Sequence, residues 1–130
     1  MSREIKFRGK RIDNGEWVYG YYHFDDSGDG FDCHYITVKT DLDVHEVDPK
    51  TVGQYIGLRD LNGKEIFEGS IVEFRTGGNV YQSPVSYDES CACYVVEAQF
   101  FMLFDHIKYT AKVIGNIYDN HELLEVNGNA

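Results

Sequence analysis

The stretch Val52-Gly53-Gln54-Tyr55-Ile56-Gly57-Leu58-Arg59-Asp60-Leu61-Asn62-Gly63-Lys64-Glu65-Ile66-Phe67-Glu68-Gly69-Ser70-Ile71-Val72-Glu73-Phe74 carries the reading of the fold. Two strand-like runs, Val52–Leu58 and Lys64–Phe67, flank Asn62-Gly63. In a two-residue type I′ turn both central residues need positive φ, which Asn and Gly tolerate best, so a hairpin is expected here. Downstream, Ser70–Arg75, Val80–Tyr87, Tyr94–Phe104 and Lys108–Tyr118 read as strands. Turns at Gly77-Gly78-Asn79, Asp88–Ser90 and Asp105-His106 separate them. Within Tyr94–Phe104, Tyr94, Val96, Ala98, Phe100, Met102 and Phe104 share one face at period two, opposite Glu97 and Gln99. That alternation and the aromatic enrichment favour a strand over a helix. Only Asn120–Val126 looks helical, with Asn120 as cap, Glu122 in the first turn and Gly128 as the stop. Five or more short strands with tight turns, followed by one short helix, point to a small SH3-like β-barrel over residues 49–130.

Upstream, Asn14-Gly15 joins Ile5–Ile12 to Glu16–Phe24 and reads as a second hairpin. In Glu16–Phe24, Trp17, Tyr19, Tyr21 and His23 point one way and Val18, Gly20, Tyr22 and Phe24 the other. Aromatics on both faces suggest a strand covered on both sides or one lining a ligand or subunit surface. Gly20 leaves room for another backbone to approach. Asp25–Asp32 is an acidic, Gly-rich loop, Cys33–Lys39 a strand, and Asp41–Asp48 an acidic connector where Pro49 bars regular pairing. Residues 1–48 are thus a β-rich segment, a sheet extension or small subdomain. The fold class expected is mainly β with little helix.

The chain has 130 residues, of which 42% are hydrophobic and 26% charged, a balance that excludes a disordered chain. Its net charge is −10, unevenly spread. Residues 1–12 hold Arg3, Lys6, Arg8, Lys10 and Arg11 against Glu4, a net of +4, which leaves −14 for the rest. An acidic body repels phosphate at long range, while the basic start offers a short phosphate-contacting edge. No apolar run is long enough for a membrane span, and Met1–Lys6 does not read as a signal peptide. Cys33, Cys91 and Cys93 are odd in number, which suits cytosolic thiols better than a disulfide framework. Cys91-Ala92-Cys93 lacks zinc-knuckle spacing, although His34, His45, His106 and His121 could in principle complete a metal site.

Three blocks stand in the order and spacing of a known family: Arg3–Gly9 with Asn14–Gly20, Val52–Phe74, and Val113–Leu124. On these the chain resembles the YopX-like proteins of bacteriophages and prophages. Where that family usually has Asp this chain has Ser70, and where it often has Pro this chain has His121. The resemblance implies a small, mostly β protein working in the bacterial cytoplasm, without an established activity or site residues to carry over.

Residues alone support few chemical sites. Cys33 and His34 are adjacent, and neighbours on a strand face opposite ways, so they cannot form a dyad. Asp25-Asp26-Ser27-Gly28-Asp29-Gly30 resembles half a calcium loop, but Ile36 stands where the closing Glu belongs. Asp60, Glu65, Glu68 and Glu73 with Lys64 could imitate a metal-dependent acidic cluster, in a hairpin the fold needs anyway. No catalytic, cofactor-binding or metal-binding residue is assigned, and no enzyme is expected. Aromatics make up 15% of the chain, and Tyr and Trp are favoured at interfaces. The leading expectation is a non-enzymatic accessory module that binds a host or phage protein or a second copy of itself. Alternatives are nucleic-acid association through the basic first strand and exposed rings, disfavoured by net charge, and an acidic DNA mimic that occupies a host DNA-binding enzyme.

Overall fold

The computed structural model describes residues 4–26, 32–90, 92–96, 101–102 and 110–128. It is mainly β, with antiparallel sheets and one short C-terminal helix. The chain divides into two compact units, Met1–Tyr55 and Ile56–Ala130.

In the first unit, β1 (Phe7–Lys10), β2 (Trp17–Asp26), β3 (Asp32–Val38) and β4 (Val44–Glu46) lie in the order β4-β3-β2-β1. The start of β5 (Gly53–Arg59) adds to β1 through Arg8↔Gly53 and Phe7↔Gln54. The Asn14-Gly15 hairpin is present, but not as a two-residue turn. Arg11 N–H donates to the Glu16 carbonyl (2.9 Å), so four residues form the loop. Gly15 takes positive φ, while Asn14 instead accepts the Glu16 N–H on its own side chain (2.9 Å). That local bond replaces the left-handed geometry expected of Asn. The acidic connector after β3 also differs from expectation, because it folds back as β4. Val38 N–H donates to the Asp43 carbonyl, and Leu42 turns the chain at φ 59°. Pro49 then opens a single 3-10 turn, Pro49–Thr51, capped by Asp48, whose carboxylate accepts the Lys50 N–H. The Thr51 hydroxyl oxygen accepts the Lys10 N–H (2.8 Å) and donates to the Asp48 carbonyl (2.6 Å), tying this turn to β1. Ile36 and Val47 are fully buried.

In the second unit, β6 (Glu65–Phe67), β7 (Ser70–Thr76), β8 (Asn79–Asp88), β9 (Cys93–Val96), β10 (Phe101–Met102) and β11 (Lys112–Asn116) precede α1 (His121–Gly128). The five-stranded sheet has the order β10-β9-β8-β7-β11. The Asn62-Gly63 hairpin forms through a three-residue loop. Asp60 N–H donates to the Lys64 carbonyl, Gly63 N–H donates to the Asp60 carbonyl, and Gly63 alone has positive φ. This is a type I turn ending on a left-handed glycine. The type I′ geometry appears instead at Gly77-Gly78, where Thr76 pairs with Asn79 and both glycines have positive φ. The run expected as one strand over Tyr94–Phe104 doubles back: Val96 pairs with Phe101 and Val95 with Met102, with residues 97–100 and 103–109 outside the described set. Period two cannot separate one long strand from two short ones that reverse. Asn120 stands immediately before α1, its carbonyl accepts the Leu123 N–H (3.0 Å), and its Oδ1 accepts the Asn116 N–H at the end of β11 (3.1 Å). Ile56, Ile66, Val72, Phe74, Val85, Val96 and Ala111 form the core, flanked by Leu58, Tyr81, Tyr94 and Val113.

Candidate functional site

Directly opposed residues of antiparallel strands share a sheet face, so register assigns the faces of the first unit. Lys10 faces Trp17, Arg8 faces Tyr19, Thr37 faces Tyr21, and Tyr35 faces His23. One face therefore carries Trp17, Tyr19, Tyr21 and His23 together with Arg8 and Lys10. The cations lie on the rings. The Arg8 guanidinium is 4.6 Å and the Lys10 ammonium 5.5 Å from the Trp17 centroid, and Lys39 is 5.0 Å from that of Tyr21. Lys6 sits 5.5 Å from the Tyr55 ring. Attraction of a cation to the negative ring face holds such pairs in register. Glu4 adds ion pairs to Lys39 (3.3 Å) and Lys6 (3.7 Å). His23 and Tyr35 stack at 5.3 Å. Tyr19 is 42% and Tyr21 53% exposed.

The opposite face of β2 bears a second row of rings. Phe7 lies 5.6 Å from Tyr22, and the Tyr22 hydroxyl shares a 2.6 Å hydrogen bond with His34 Nδ1. His34 also stacks on Tyr22 (5.9 Å) and on Phe24 (5.6 Å), whose ring is 56% exposed. Gly20 makes this double-faced strand possible, because a Cβ there would collide with the Thr37 carbonyl oxygen. The close backbone approach expected at Gly20 is thus its role.

The other candidate residues do not converge. Cys33 and His34 point to opposite faces, His34 toward Tyr22 and Cys33 toward Tyr35. The hydrogen bond between Cys33 and the Tyr35 phenol, and then the charge of that thiol, push the phenol above its ordinary pKa. Asp60 serves the backbone. Its Oδ1 accepts the Asn62 and Lys64 N–H groups (2.9 and 2.8 Å) and its Oδ2 accepts the Val113 N–H (2.8 Å). Burial alone would raise the Asp60 pKa, but those three donors, from Val113, Lys64 and Asn62, outweigh it and hold the carboxyl below its usual range. Glu65 pairs with Arg59 (3.4 Å), and Glu73 accepts from Gln82 (2.9 Å). Among the described residues, no three of His, Cys, Asp and Glu gather to hold a metal ion. Cys91, His106 and Ser27–Gly30 of the acidic loop lie outside the described residues. A shallow recess of about 230 Å³ lies among Arg11, Ile12, Asp13, Val44, His45 and Glu46. Its cation is already committed, with Arg11 gripping Asp13 through two bonds (2.9 and 2.6 Å). No helix among the described residues is long and apolar enough to cross a membrane.

Residues 6–125 match the model of the YopX protein family. The chain belongs to the YopX family. No curated protein matches it. In this YopX chain the blocks that carry the likeness serve geometry. Asp60 clamps the central hairpin to Val113, and the Asn116 carboxamide accepts the Tyr118 and Asp119 N–H groups (both 2.9 Å). Ser70, where the family usually has Asp, is fully buried and its hydroxyl accepts the Phe67 N–H (3.0 Å). His121 occupies the first residue of α1, the position proline favours. Sequence reading overlooked the clustering of cations on rings. Its signal was present, since Lys6, Arg8 and Lys10 recur at period two.

Proposed function

We propose that this YopX chain is a non-enzymatic accessory module that works by surface contact with protein, first of all a second copy of itself. The single observation behind this reading is that β2 exposes rings on both faces, Tyr19 and Tyr21 on one and Phe24 on the other. Rings of this kind bury large area at little entropic cost when a partner covers them. A contact role is further supported by how the polar side chains are used. Asp60 and Asn116 are occupied with backbone amides, and Glu73 and His34 with neighbouring side chains. The Phe24–His34–Tyr22–Phe7 series of neighbouring rings is the part best suited to a self-complementary apolar contact.

The SH3-like reading of the second unit belongs to the same proposal. A β7-β8-β9 meander with β11 returning beside β7 supports it. A phage or prophage setting and the bacterial cytoplasm also belong to this proposal and rest on the family resemblance. Sedimentation velocity tests the contact reading. The wild type should associate with rising concentration, and Phe24→Ser, at an exposed position, should weaken association at least tenfold while leaving the circular dichroism unchanged. A wild-type chain that stays monomeric at high micromolar concentration overturns the self-association reading.

A further inference from the structure

We infer that the cation-bearing face of the first unit's sheet binds single-stranded nucleic acid. The inference rests on the reading of β2 as a contact strand, but it concerns the other face from that assigned to self-association. Charge complementarity selects the occupant. The chain is acidic as a whole, yet Lys6, Lys10 and Lys39 stand on this one face above a buried Arg8, beside Trp17, Tyr21 and the buried Tyr55, with Glu4 the carboxylate that a phosphate would displace from Lys6 and Lys39. A partner that needs cations and flat rings interleaved on one surface is a polyanion carrying flat bases. Tyr19 and Tyr21 are exposed on the same strand two residues apart, about 7 Å by strand rise, which suits successive bases of an extended strand. His23 and Tyr35 continue the ring row along β2 and β3. Lys10 and Lys39, at the two ends of the Trp17–Tyr21 row, reach phosphates on either side of the stacked bases.

A duplex is a poorer fit. Its bases are already stacked inside and cannot lie on the tyrosines, and its denser charge is more strongly repelled by the acidic remainder. Single strands offer both free bases and a lower charge density.

The test uses the full chain and a fluorescein-labelled oligothymidine of about twenty nucleotides, followed by anisotropy at low salt. With three or four phosphate contacts, affinity should fall roughly 20- to 50-fold between about 50 and 200 mM salt. Tyr21→Ala should weaken binding about tenfold or more. Lys39→Gln should lower the slope of log affinity against log salt by about 0.7. Unlabelled single strand should compete, and a duplex of equal length should compete poorly. Phe24→Ser, on the opposite face, should bind as the wild type does. No binding at about 50 mM salt, equal binding by Tyr21→Ala, or preference for the duplex would each overturn the inference. Sedimentation of the same variants keeps the two readings apart. Self-association lost in Phe24→Ser, without oligonucleotide binding, refutes this inference and leaves the protein-contact reading standing. Oligonucleotide binding by a monomer does the reverse.

Discussion

Replacing Asp60 by Asn probes the joint that holds the second unit's hairpin to β11. The residue is 6% exposed, and its two oxygens accept three backbone N–H groups. Asparagine keeps the shape and can keep Oδ1 on the turn. Its Nδ2 then faces the Val113 N–H, donor against donor, where Oδ2 accepted at 2.8 Å. Losing a bond to a charged acceptor at this half-buried amide costs about 1.5–3 kcal/mol. Weakening the two turn bonds from charged to neutral acceptors adds roughly 0.5 kcal/mol each, less what water recovers at these exposed amides. The expected loss is therefore about 2–4 kcal/mol at neutral pH. Acid should diminish it. The carboxyl pKa is lower in the folded chain than in the unfolded one, so its contribution is complete above the unfolded value of about 4. As pH falls through the folded value, that contribution disappears from the wild type and the two proteins converge. Amide exchange at Val72 and Val113, with urea unfolding followed by circular dichroism, reads the second unit directly. A difference under about 0.5 kcal/mol at neutral pH, or one unchanged in acid, refutes the assignment of Asp60 as the clamp.

Gly20→Ala should destabilise the first unit by about 2–3 kcal/mol, because the Thr37 carbonyl it would strike belongs to backbone paired in the sheet. Trp17 fluorescence during urea unfolding measures it. Gly115→Ala would push its Cβ into Asn120 and cost about 1–2 kcal/mol by displacing the acceptor of the Asn116 N–H. Placed on an Asn120→Gly background, which removes the whole side chain including the Cβ that would lie 2.9 Å away, the same substitution should cost less, and a double-mutant cycle shows whether it does. Leu42→Gly should stabilise by about 0.5–1 kcal/mol, since a 69% exposed leucine is held at φ 59° with little burial in return. A thermal midpoint unchanged or lowered by this variant contradicts that strain.

Much of the architecture was legible from local pattern. The hairpins at Asn14-Gly15 and Asn62-Gly63, the β3 strand, the Gly77-Gly78 turn and the short helix follow from where rigid, flat-fitting residues give way to turn formers. Their finer geometry was not legible, because side chains competed for the backbone. Asn14 and Asp60 each accept amides in their own turns, which converts an expected two-residue loop into one of four and one of three residues. β4 escaped notice because three residues, Val44–Glu46, carry too short an alternation, and their pairing with β3 depends on a left-handed leucine.

The candidate surface divides along the same line. Period two in Lys6-Arg8-Lys10 and in Trp17-Tyr19-Tyr21-His23 already separates each strand's faces, because the pleat alternates side chains whatever the partner. Which face of one strand meets which face of the next depends on register, a long-range quantity set by pairing between residues distant in the chain. Folding brings Lys39 onto Tyr21 and Arg8 onto Trp17, and brings Val113 to Asp60 from 53 positions away. Local composition therefore determined that this chain would form strands, turns and two-sided aromatic ribbons. Tertiary pairing alone decided that its scattered cations stand over rings and that its most suggestive carboxylate is a structural clamp.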